Sequence, residues 1–303
     1  MESVGLTRFE PKFSTDISTE EACEPTTITR MRETLIILGL CLLAAALRSS
    51  RSRVMRKVGA IALLAASYCL FYYVSGCNKL VGIVGVLAWA FLPWFELLTR
   101  IRRLRMPVDN RLRHKPLPNP SFFPNAAEAS PAMDKEGFEH VTDCCWQWDG
   151  MSQHFRLYWN PEERAISSVC LCEQSDVAFA FISITSRDEQ GHMWRTTNFP
   201  FAPTLRRPPG VNWNHLPCRE NCFHQILKSH QAYLERKGVS DEQLSIPDPE
   251  VMEAAIEAEM REQIDHNIKS GIIRMTEDGH FEYSKRGLFY LWFQFLKDMI
   301  RFC

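Results

Sequence analysis

The sequence predicts an α+β protein in which two or three N-terminal transmembrane helices precede an antiparallel β-meander domain covered by C-terminal helices. Three observations carry this reading. Two nearly uncharged apolar runs of spanning length sit back to back near the N-terminus. A stretch rich in aromatic and β-branched residues follows and is broken by short polar turns. Beyond it, apolar residues recur at helical spacing.

Whole-chain averages hide this layout. The 303 residues carry a formal net charge of -1, and mean hydropathy is -0.20 with a sequence pI of about 6.8. Such totals give no sign of a nucleic-acid binder, and none is expected as a partner. The apolar residues are concentrated at one end. Basic residues crowd around them, and acidic residues collect at 241–265.

Residues 1–33 are polar, without a clear period, and predict a disordered tail. Translation can begin at Met1 or at Met31. The transmembrane region is expected at 34–105. Within it, 58–76 contains no charge, and its length matches the hydrocarbon core. The run 80–98 has one charge, Glu96, with Arg100 one turn on as its partner. Only Cys77, Asn78 and Lys79 separate the two, so they must be antiparallel neighbours, with Gly82, Gly85, Ala62, Ala65 and Ala66 allowing close approach. The run 34–47 is shorter, about 21 Å as a helix. It is a short span, an interfacial helix or a signal-peptide core, although Arg48, Arg51, Arg53, Arg56 and Lys57 follow it at once.

Those charges also set the expected orientation. Arg100, Arg102, Arg103, Arg105, Arg111, Arg113 and Lys115 follow the last span, whereas Lys79 is alone in the turn. Both basic clusters should therefore face the cytoplasm, in a multi-pass cell-membrane protein whose C-terminal domain is cytoplasmic. The arginines also suit anionic lipid head groups.

Residues 106–134 hold six prolines and read as a semi-rigid extended spacer. The domain at 135–303 then opens with strand-like segments at 138–148, 152–159, 165–172, 177–185 and 192–198. Short turns between them predict a meander of four to six strands. Cys222, Phe223, Ile226, Leu227, His230, Tyr233 and Leu234 mark a helix closed by Gly238. Asp248-Pro249 starts another, ending near Gly271. A hairpin is expected about Asp278-Gly279, then a final helix at 286–302. That last helix either packs across the sheet, the favoured reading, or lies on the membrane surface.

Candidate chemistry is sparse. His215, Cys218, Cys222 and His224 are of types that suit zinc, so zinc is a possible ligand there, although Cys222 and His224 would leave one helix on different sides. The 11 cysteines include adjacent and alternating pairs, poor material for a disulfide framework, and imply a reducing compartment. No local signature ties a thiol to a histidine base, and the common phosphate, zinc-protease and hydrolase motifs are absent. Arg195, Thr197 and Asn198, at a strand end before several prolines, are candidate ligand-binding groups, with His230 as a fourth; capping a turn is their other reading.

The succession DEQGHMWRTTNFPF, RRPPG and HQILKSHQAYL resembles a family of bacterial proteins with an N-terminal membrane anchor and a C-terminal α+β domain. The resemblance covers residues 138–303 and implies no particular activity. The expected function is a membrane-tethered cytosolic binding or scaffold domain, with the lipid bilayer and a protein partner or second copy as partners. The alternative is a membrane-associated enzyme or metal-binding protein that uses the cysteines and histidines. Two or three spans with no charge beyond Glu96 argue against a channel or transporter.

Overall fold

A computed structural model describes residues 27–50, 52–116, 124–174, 177–218 and 220–301. The expected tail at 1–33 lies outside these up to residue 26, and 27–33 form the first turns of helix α1 (Thr27–Arg48). Helices α2 (Arg53–Val74) and α3 (Lys79–Thr99) follow as an antiparallel pair. The Asn78 side chain caps α3 by accepting from the Leu80 and Val81 amides. Small residues let the pair close: Ala62, Ala66, Gly82 and Gly85 are buried, and a methyl group on Gly85 would meet the Phe71 ring. Trp89 Nε1 donates to Ser67 Oγ across the contact at 2.8 Å. Among the described residues, two helical segments, Val54–Val74 and Lys79–Arg103, are long and apolar enough to cross a membrane.

The larger sheet has seven strands, one more than the upper expectation. They are β2 (Arg113–His114), β3 (Glu139–Trp148), β4 (Met151–Asn160), β5 (Ala165–Gln174), β6 (Val177–Arg187), β7 (Met193–Thr197) and β8 (Val211–His215), in that spatial order. All neighbours are antiparallel except β7 and β8. A parallel neighbour needs a crossover, here residues 198–210. Period-2 alternation gives the sheet two buried faces. Helix α4 (Pro124–Lys135) and helix α5 (Phe223–Lys237) cover one, with Met133, Phe223, Ile226 and Leu227 against Tyr158, Val169, Ile182 and Ile184. Helix α6 (Met252–Lys269) covers the other, with Met252, Ile256 and Met260 against Phe155, Leu157 and Cys170.

Two expectations are corrected here. The stretch 106–134 is not a spacer where it is described. Strand β1 (Met106–Pro107) pairs with β10 (His280–Tyr283), β2 pairs with β3, and α4 contains Pro131. Pro107 is accommodated because a two-residue edge strand needs few donors, and Pro124 because it is the first residue of α4; residues 117–123 lie outside the described part. The final helix, α7 (Lys285–Arg301), is also not the cover of the large sheet, a place that α6 takes. It packs instead on the small sheet formed by β1, β10 and β9 (Ile273–Met275), and on α3. Leu97 of α3, Ile264 of α6, Ile272, Phe281, Leu288 and Leu291 share that core.

The crossover 198–210 is gripped by two helices, α7 and α6. Asp298 of α7 accepts from the Ala202 amide at 2.8 Å, and Tyr290 shares its one hydroxyl proton between the Pro203 and Leu205 carbonyls, each at 3.3 Å. Asn267 of α6 acts like a strand neighbour toward Arg206, accepting from its amide at 2.8 Å and donating to its carbonyl at 2.7 Å. Through this segment the seven-stranded sheet is joined to α7, and through α7 to the apolar N-terminal helices.

Candidate functional site

The four residues expected to bind a ligand do not share one pocket. Side chains of β7 alternate, so Arg195 and Thr197 face α6 while Thr196 faces α5. Thr197 donates to the Ile182 carbonyl at 2.9 Å. Asn198 accepts from the Ile182 amide at 2.7 Å and donates to the Glu220 carbonyl at 2.8 Å. Both side chains therefore pin the start of the crossover to β6. The Arg195 guanidinium forms a two-point ion pair with Glu259 of α6, at 2.7 and 2.8 Å, and its Nε donates to Thr185. Arg187 reaches the same carboxylate at 3.1 Å. This cluster fixes where α6 sits on the sheet.

His230 lies on the opposite face, under α5. Its Nε2 is 3.1 Å from Ser186 Oγ and its Nδ1 is 3.0 Å from Thr196 Oγ1. Burial pushes its pKa down to about 4, so the ring is neutral at physiological pH. A neutral imidazole donates through one nitrogen and accepts through the other, and the two hydroxyls can satisfy both.

The zinc candidates are dispersed in role. His215 lies beside the Trp213 ring. Cys218 is disulfide-bonded, which corrects the expectation that the cysteines of this domain are reduced. Cys222 is the exposed cap residue of α5. His224 Nδ1 meets Glu136 at 2.8 Å, linking α5 to the end of α4. Among the described residues, no group of three or more His, Cys, Asp or Glu is placed to hold a metal ion.

One pair was missed at the level of sequence. Cys145 and His154 are direct partners across the β3–β4 hairpin, with Sγ 3.8 Å from Nε2. The signal for it is Asp149-Gly150, both at positive φ. A two-residue Asp-Gly turn fixes the register and so sets Cys145 opposite His154. Both side chains are buried, and His154 Nδ1 has no hydrogen-bond partner among the described residues. Desolvation raises the pKa of the thiol and lowers that of the imidazole, which favours the neutral pair over thiolate and imidazolium. Burial likewise pushes the Cys144 and Cys170 thiols up to about 12.

Two surface features remain. A half-open cleft of about 400 Å³ lies between the β6–β7 turn and the end of α5, lined by Asp188, Glu189, Trp194, Gly238 and Glu242. The larger feature is the junction of α3 and α7. Trp292 Nε1 donates to the Ala90 carbonyl at 2.6 Å, one residue beyond Trp89, whose carbonyl loses its helical donor to Pro93. Trp94 packs edge-on to Phe289 at 5.2 Å and lies 6.0 Å from Trp292. Arg48, at the end of α1, donates to the Met299 carbonyl at 3.4 Å. Above this junction α2 and α3 expose a belt of large apolar side chains, with Leu80 at 73% and Phe95 at 75% exposure among them.

No family model, curated protein or solved structure matches the chain.

Proposed function

We propose that the chain is a multi-pass membrane protein whose C-terminal α+β domain faces the cytosol and acts as a binding or scaffold module. The observation that carries this is the apolar belt of α2 and α3. Ile61, Leu80, Val84, Phe91 and Phe95 are all more than half exposed on helices of spanning length. A surface of that size is costly in water and is stable in lipid. The arginines at 48–56 and 100–105, against a lone Lys79 in the far turn, support a cytosolic domain. The partner is a protein or a second copy of this chain. The cleft beside Trp194 is the concave surface offered to it, and its carboxylates and indole suit a cationic side chain.

Alkaline carbonate washing of membranes and protease treatment of sealed, right-side-out cells test the reading. The protein should stay in the membrane pellet, and a C-terminal tag should stay protected until the cells are opened. Release by carbonate, or digestion of the tag in intact cells, overturns it. Crosslinking of the partner should weaken in Glu189→Lys and Glu242→Lys variants of the intact protein.

A membrane-associated enzyme or metal-binding protein is the second reading; the Cys145–His154 contact supplies a thiol beside an imidazole, and the thiol would have to lose its proton to serve either role. Stoichiometric zinc in the purified full chain, lost in Cys145→Ser or Cys222→Ser, would support it.

A further inference from the structure

Helix α7 has more apolar surface than its protein contacts use. Its inward side is spent on the domain: Leu288 and Leu291 in the small-sheet core, Asp298 and Tyr290 on the crossover. Its outward side is the stripe Lys285, Phe289, Phe293 and Lys297, which recur every four residues and are all exposed. Phe289 is 61% and Phe293 53% exposed. Lys297 Nζ stands 4.4 Å from the centre of the Phe293 ring. Two aromatic rings bracketed by two cations on one helical line form an interfacial pattern, with the rings at the acyl boundary and the lysines reaching back to phosphate.

Position in the fold says what covers the stripe. Phe289 is in contact with Trp94 of α3, so the stripe is continuous with the exposed belt of the apolar helices. The Trp292 indole reaches Ala90, about 13 Å of helical rise before Thr99. A side chain that deep along the span brings its own helix to the level of the head groups. Arg100, Arg102, Arg103 and Arg286 are exposed at the same level, at the end of α3 and the start of α7.

Resting on the membrane reading above, we infer that α7 is an in-plane helix seated in the bilayer leaflet on the domain's side, where Phe289 and Phe293 enter the acyl boundary and Lys285 and Lys297 bind acidic phospholipid head groups. The domain then does not swing on a tether. Its orientation is fixed by three apolar helices and one interfacial helix, and the crossover clamps carry that orientation to the seven-stranded sheet.

The test uses the full chain in vesicles of phosphatidylcholine with a minority of phosphatidylserine. Photoreactive p-azidophenylalanine, close in shape to phenylalanine, replaces Phe289 or Phe293. Phe91 on α3 serves as the lipid control, and Lys228 on α5 as the water control. After illumination, lipid adducts are expected at Phe289, Phe293 and Phe91, with none at Lys228. Phosphatidylserine should be enriched in the α7 adducts by at least about twofold over its share of the vesicle. The double variant Lys285→Glu, Lys297→Glu should erase that enrichment. Adducts at Phe91 without any at Phe289 and Phe293 would overturn the in-plane helix and leave the anchor standing. Crosslinks from Phe289 or Phe293 to a second copy or another protein would overturn it too. Equal labelling by both lipids would overturn the head-group assignment. No lipid adduct at Phe91 would remove the membrane reading itself.

Discussion

Helices α5 and α7 are of similar length and each buries one apolar side, yet they differ on the side turned away. The outward residues of α5 include His224, Gln225, Lys228, Glu235, Arg236 and Lys237, all polar. Those of α7 include Phe289 and Phe293 in the middle of the helix. One helix meets a single apolar surface and then water. The other lies between two apolar surfaces, the domain core and the exposed belt of α2 and α3. The difference teaches that amphipathicity counts the surfaces a helix must satisfy, and that α7 has one more than the domain supplies.

The seating of α7 is where the comparison breaks most sharply. A methyl group on Gly287 would collide with the Ile272 carbonyl, which is backbone and has no room to retreat. Gly287→Ala should therefore lift α7 from the small sheet and destabilise the protein by about 3 kcal/mol or more. A thermal scan of the protein in nanodiscs, read by tryptophan fluorescence, should record the loss. An unchanged melting temperature would mean that α7 is not seated on β9 as described.

The interior of α5 gives the next largest effect, and it depends on pH. The His230 pKa is about 4 in the folded chain, against about 6.5 for an unperturbed histidine. As pH falls, the unfolded chain takes up the proton first, so folding loses ground. The contribution is full above about pH 6.5, falls steadily toward pH 4 and is gone below that, about 3 kcal/mol in all. His230→Leu should cost about 2 kcal/mol at neutral pH, because Ser186 and Thr196 lose their partner. It should also flatten the acid slope between pH 6.5 and 4. Some slope should survive, since burial also holds the His154 pKa down. A slope unchanged in the variant would remove the neutral-histidine account.

Both α5 and α7 were legible in the sequence as helices, with α7 expected at 286–302 and found at Lys285–Arg301, but the packing of α7 was not. Periodic apolar residues and Gly238, with a left-handed φ of 71°, mark α5 because its partner is the adjacent sheet. The strands β3 to β7 were legible for the same reason, since each pairs with its neighbour in sequence. The two-residue strands β1 and β2 were not, because Met106 meets Phe281 and Arg113 meets Cys145 far along the chain. Strand β8 joins in parallel across a proline-rich crossover, which carries no local sign of pairing. The choice between α6 and α7 as cover of the large sheet was equally hidden. Both have an apolar stripe, and the polar contacts that select α6, Glu259 with Arg187 and Arg195, Glu253 with Thr142 and Glu257 with the Leu112 amide, join residues far apart in the chain. Of the candidate residues, the spacing of Arg195, Thr197 and Asn198 was visible, but their partners Glu259, Ile182 and Glu220 were not.

Removing the clamps sharpens the comparison in a third way. Asn267→Ala leaves the Arg206 amide and carbonyl without partners, and Asp298→Ala does the same to the Ala202 amide. Each should cost about 2 kcal/mol. Because both act on the same crossover, the double variant should cost less than the sum of the two. Strict additivity would show that α6 and α7 do not hold 198–210 as one unit.

The smallest expected effect is the most direct contrast between the two outward sides. Lys228 on α5 points to water, so Lys228→Ala should change stability by less than about 0.5 kcal/mol in any medium. Phe293 occupies the matching outward side of α7, and its value should depend on what covers it. In nanodiscs Phe293→Ala should cost about 1 kcal/mol, the transfer free energy of a ring half withdrawn from water. Exchanging the nanodisc for a polar amphipol that leaves the domain side wet should shrink that cost toward the Lys228→Ala value. The pair of substitutions in the pair of media cancels differences in helix propensity and in the unfolded chain, since those travel with the residue and not with the solvent. What survives the subtraction is the contact of Phe293 with lipid, and a difference near zero would mean that α7 turns the same kind of side to the solvent as α5.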